Sequence, residues 1–110
     1  MSEAGTAGAR IVLMTAPGID EAQALARKLV EERLAACVSL LPGATSVYRW
    51  EGEVQEDSEV LMVAKTSAAR LVELEARVAE LHPYDVPEFV ALDPCHVAPA
   101  YLAWLVGATA

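Results

Sequence analysis

The sequence predicts an α+β domain, an antiparallel sheet with two helices on one face and an extra helix at the C-terminus. Three observations carry that prediction. Short apolar runs rich in β-branched residues recur at residues 11–14, 36–50, 59–65 and 88–92, each bounded by Pro, Gly or acidic turn residues. Stripes of helical period lie after the first run and between the third and fourth. The two middle runs follow each other without a helix, so the stretch from Leu34 to Thr66 reads as a single long hairpin.

In order, residues 1–9 are small and polar without periodicity and read as a flexible tail, with one domain spanning 10–110. Ile11 to Met14 is a continuous apolar run closed by Thr15-Ala16-Pro17-Gly18, as expected of a central strand buried on both faces. Ala22, Leu25, Ala26, Leu29 and Val30 then share one helical face, from a cap at Gly18 or Asp20 to about Arg33. In the hairpin, Ala36 to Leu41 is strand-like, Pro42-Gly43 marks a bulge or bend, and Thr45 to Trp50 resumes the strand. Alternation puts Tyr48 and Trp50 on one face of it, and Glu51-Gly52-Glu53 is the turn.

Glu59 to Lys65 returns as a buried strand, with Thr66 or Ser67 placed to cap a helix carrying Leu71, Leu74, Val78 and Leu81. Glu73 and Arg77 stand at a favourable i,i+4 spacing on it. That helix stops at His82, because the residue before a proline is biased out of the α region. Pro83 and Pro87 bracket Tyr84-Asp85-Val86 as a rigid corner, Glu88 to Leu92 forms a last strand, and Pro99 opens a helix with Ala98, Tyr101, Leu102, Leu105 and Val106 on one face. The order β-α-β-β-α-β is the ferredoxin-like split βαβ arrangement, with the C-terminal helix added. In its usual strand order the first hairpin strand lies on an edge, and an overlong edge invites pairing with another chain.

At 110 residues and 55% apolar, the chain suits one domain with one core. Its 16 acidic and 8 basic residues give a formal charge of -8, which repels phosphate backbones and anionic membrane surfaces, so neither nucleic acid nor membrane is an expected partner. No apolar run approaches the ~20 residues of a membrane span. Cys37 and Cys95 are far apart, without the spacing of a disulfide framework or a closed zinc site. With no basic start and apolar run at residues 1–9, a cytoplasmic chain with reduced thiols is expected. Phosphate loops, dinucleotide fingerprints and nucleophile elbows are absent, and the first strand-to-helix loop offers no Arg for a phosphate, so no enzyme class is indicated.

Three stretches in this order, LAACVSLLPGATSVYRWEGEVQEDSEVLMVAKT, LHPYDVPE and YLAWL, resemble the CutA family of divalent-cation tolerance proteins, and the likeness runs over residues 10–106. The resemblance implies a non-enzymatic cytoplasmic homotrimer of ferredoxin-like subunits, similar in architecture to the PII signalling proteins and joined edge to edge through the long hairpins. It implies a role in tolerance of copper and other divalent cations, with copper or another divalent metal as the only cofactor in view. Family metal ligands would include a cysteine near the end of the first strand, where this chain has Met14, and a His and Glu around the HPY–PE motif, here His82 and Glu88. Leu81 stands where a second His can occur.

The residues leave several roles open. His82, at a helix end, can meet terminal carbonyls or a metal. Glu88 can cap a turn, pair with a cation or serve as an oxygen ligand. Tyr84 can line a cleft or satisfy a buried hydrogen bond, while Tyr48 and Trp50 are the expected oligomer contacts. Cys37 in its apolar strand suits core packing over ligation, and Cys95-His96 has no spaced partner. Glu51, Glu53, Glu56, Asp57 and Glu59 read as a solvated hairpin tip. Met62 and the Tyr101–Trp104 stretch read as packing. The alternative function is a PII-like trimeric signalling or scaffold protein that binds a small molecule or protein partner at intersubunit clefts.

Overall fold

The computed structural model describes residues 8–110; residues 1–7, most of the expected tail, lie outside the described residues. β1 (Ala9–Ala16) leads into α1 (Ile19–Glu31), then β2 (Cys37–Trp50) and β3 (Glu53–Ser67) form the hairpin. A single 3₁₀ turn (Ala68–Arg70) precedes α2 (Leu71–Leu81), followed by β4 (Val90–Leu92) and α3 (Pro99–Ala108). The sheet runs β2-β3-β1-β4 with antiparallel pairing throughout, so β3 and β1 are central and β2 and β4 are edges. This is the expected ferredoxin-like arrangement.

The core follows from strand alternation. Val12, Met14 and Ala16 of β1 and Val60, Met62 and Ala64 of β3 point to one face, where Ala22, Leu25, Ala26 and Leu29 of α1 and Leu74 and Val78 of α2 cover them. Burying a side chain such as Leu29 or Leu74 contributes roughly 1.5–3 kcal/mol. The other face is less covered: Ile11 and Leu13 are only half-buried, so β1 is buried on one side and not on both. Its parity places Ala9 on that second face, where it packs with Ala36 and Leu105; α3 therefore covers one end of it.

Several local expectations are corrected. Val30 is exposed although it lies near the α1 stripe. Gly18, in extended backbone, caps α1 through its carbonyl, which accepts from Ala22 N–H at 3.0 Å. The Thr66 hydroxyl does not cap a helix; fully buried, it donates to the Leu34 carbonyl at 2.7 Å and ties β3 to the segment entering β2. Ser67 flanks the 3₁₀ turn without a side-chain cap bond. Arg77 forks onto Glu32 with two 2.9 Å bonds, joining α2 to the end of α1, while Glu73 pairs with Arg70. That fork holds the Glu32 carboxyl below its usual range. α3 is apolar on every side, and Tyr101, Trp104 and Val106 stay exposed; the Tyr101 and Trp104 rings pack on each other at 5.4 Å. β4 is shorter than expected, pairing only from Val90 to Leu92.

The hairpin outgrows the sheet. β1 ends opposite Val60, so residues 53–59 have β2 alone as neighbour and form a two-stranded arm with residues 44–50. Its base is the Pro42-Gly43 bulge, where two β2 residues face one β3 residue and Gly43 takes φ 89°. Its tip is a two-residue turn with both φ values positive, Glu51 at 52° and Gly52 at 83°, the geometry that matches strand twist. Along the arm Val47, Tyr48, Trp50 and Val54 are exposed.

Candidate functional site: the cleft between arm and corner

His82 ends α2 in extended backbone ahead of Pro83, and its ring turns back under the sheet's end. Nε2 donates to the Thr15 carbonyl at 2.7 Å, and Nδ1 accepts the Tyr84 backbone N–H at 3.1 Å. That pairing fixes the tautomer and leaves neither ring nitrogen free. The acceptor belongs to β1, not to the terminal carbonyls of its own helix. His82 is buried and works as a strut between β1 and the corner at residues 83–88.

The strut positions Tyr84. Its ring lies against His82 at a centroid distance of 4.7 Å, and its hydroxyl donates to Glu59 at 2.8 Å. The Tyr48 hydroxyl likewise donates to Asp57. Two of the five acidic residues expected at a solvated tip are therefore held by phenols. Partial burial, then the Glu59 bond, pushes the Tyr84 phenol well up; the bond to Asp57 is the main cause of the rise at Tyr48.

Between arm and corner lies a cleft of about 750 Å³. Tyr48, Trp50 and Tyr84 form its aromatic walls, Glu59, Asp85 and Glu88 its acidic ones, and no lining residue among those described is basic. Asp85 and Glu88 are exposed and make no hydrogen bond or ion pair with a described residue. So the sequence-predicted residues Tyr48, Trp50, Tyr84 and Glu88 converge on one cavity, with His82 behind it. Met14 does not join them: fully buried in the helix-facing core, its thioether faces away from solvent, and Leu81 packs beside that core. Sequence reading missed Glu59 and Thr15, since only the fold brings them to the corner.

The thiols are elsewhere. Cys37 is half-buried on the second face, with Lys65 Nζ 3.9 Å from its sulfur, and is not a core residue; Cys95 is exposed. No group of three or more His, Cys, Asp or Glu among the described residues is placed to hold a metal ion.

With this geometry in hand, likeness to known proteins decides the family. The model of the CutA1 divalent ion tolerance protein family matches residues 10–108. The chain belongs to that family. It is similar to the divalent-cation tolerance protein CutA of Thermus thermophilus, 52% identical over 95 residues that cover 86% of this chain and 92% of the relative. A solved Thermus thermophilus CutA1 structure superposes with a TM-score of 0.90 at 49% identity, covering 93% of this chain and 99% of that one. The chloroplastic CutA of Arabidopsis thaliana is 44% identical over 90% of this chain, which spans 54% of that longer protein. No helix among the described residues is long and apolar enough to cross a membrane.

Proposed function

We propose that this chain serves divalent-cation tolerance as a non-enzymatic cytoplasmic homotrimer that works by binding a ligand in the cleft between arm and corner. The observation carrying this reading is the cleft itself: a preformed cavity of about 750 Å³, carboxylate-lined and free of basic side chains among the described residues, at the base of an arm too long for its own sheet. Exposed apolar residues on the arm, on β4 and on α3 favour assembly, since a single chain would leave them in water. Two free cysteines suit a reducing compartment.

Within one chain the side chains do not fit tight chelation of copper or another divalent ion. Both nitrogens of His82 are spent, and Glu59 already accepts a phenol hydrogen bond. Stable zinc or copper sites usually take three or four ligands. Weak binding through the exposed carboxylates of Asp85 and Glu88 is what remains to a divalent ion. Calorimetric titration of tag-free protein with copper(II) tests it. Weak saturable binding should fall several-fold in Glu88→Gln and Asp85→Asn, and binding that ignores both changes would remove the cleft from any metal role.

The volume of the cavity, far more than a bare ion fills, favours a second reading, a PII-like trimeric signalling or scaffold protein that binds a small molecule or protein partner at intersubunit clefts.

A further inference from the structure

We propose that the cleft recognises an organic ammonium ion, a positively charged amine on a small carbon skeleton. This rests on the reading of the cleft as a ligand site and names the class of ligand. Size is the first argument: about 750 Å³ lies in the range of small-molecule pockets. The second is the chemistry of its walls. Tyr48, Trp50 and Tyr84 offer three partly exposed rings, and a cation over such a face is attracted by the ring's quadrupole.

Hydrogen-bond bookkeeping argues the same way. The phenol hydroxyls of Tyr84 and Tyr48 are already spent on Glu59 and Asp57, so an anionic ligand finds few donors there. A phenol that donates to a carboxylate gains electron density in its ring, which makes the face more attractive to a cation. Asp85 and Glu88 add charge without being tied to other described residues. A metal ion needs several donors in fixed geometry, and no group of three or more His, Cys, Asp or Glu among the described residues is placed to supply them; an ammonium needs negative potential and π faces, which the cleft has. The walls are also preorganised, because Tyr84 is held by the His82 ring, its own backbone N–H and Glu59.

Trp50 fluorescence in the otherwise intact Trp104→Phe chain reads the site, with tetramethylammonium as probe and sodium chloride holding ionic strength constant. The expected result is a saturable change, weakened tenfold or more by Tyr84→Leu, about threefold by Glu88→Gln or Asp85→Asn, and within threefold of the parent in Tyr84→Phe, which keeps the ring. Circular dichroism checks that Tyr84→Leu folds; the milder variants test the proposal if it does not. Equal binding of tert-butanol would overturn the proposal, because shape alone would then suffice. Copper(II) that binds the cleft more tightly than tetramethylammonium and displaces it would overturn the ammonium assignment yet keep the cleft as the ligand site. No saturable change with either would overturn both.

Discussion

On the face of the sheet that carries α1 and α2, Met14, Met62, Leu29 and Leu74 are fully buried; along the arm and β4, Val47, Trp50, Val54 and Val90 are 45% exposed or more. The first region is finished inside one chain. Its helices are even fastened to each other by the Arg77–Glu32 fork. The second is apolar without a cover, yet it is ordered: a bulge, a tight turn and phenol–carboxylate bonds hold it in shape. Packing thus explains the first region as structure, and the second needs a partner or ligand to explain it.

The comparison can be broken from the packed side with the largest effect. Leu74→Ala should lower stability by about 2–5 kcal/mol in chemical denaturation, since the lost contacts leave a cavity in a close-packed core. Comparisons belong at fixed protein concentration, because assembly stabilises by mass action. Thr66→Val is nearly isosteric but orphans the buried Leu34 carbonyl, and should cost about 1–3 kcal/mol. A loss no larger than that of an exposed control such as Val72→Thr would mean the bond is replaceable. On the arm, Gly52→Ala forces a side chain into positive φ at the turn and should cost about 1 kcal/mol while leaving the body's core signals unshifted in NMR spectra.

The smallest effect is electrostatic. The folded Glu32 carboxyl sits below its unfolded value because of Arg77, so its contribution is present above the unfolded value and fades as pH falls through the folded one. In Arg77→Leu the NMR-observed Glu32 titration should move up toward an ordinary glutamate, and the acid-side loss of stability attributable to Glu32 should disappear. An unmoved Glu32 titration would show that the fork does not hold in solution.

The packed region was the more legible in sequence, for a physical reason. Helical stripes such as Leu25–Leu29 and Leu74–Val78, and the β3 run around Met62, report burial directly through their period. Period fails where apolar residues face outward: α3 is apolar on every side, so in a stretch that reads as packing Leu102 does pack against the second cluster while Tyr101 and Trp104 are exposed. The corner at LHPYDVPE was locatable from its prolines, but the His82–Thr15 and Tyr84–Glu59 bonds join residues 67 and 25 positions apart, which no local pattern encodes. Glu73–Arg77 shows the same limit, because a local spacing rule lost to Glu32 of another helix.

Sedimentation equilibrium on the tag-free protein at micromolar concentration tests most directly whether the uncovered region is an assembly surface. The account predicts a single species with the mass of three chains, loosened by about tenfold or more in dissociation constant when Val54→Asp puts a charge on the exposed arm away from the cleft. A wild-type chain that sediments as a monomer would contradict it.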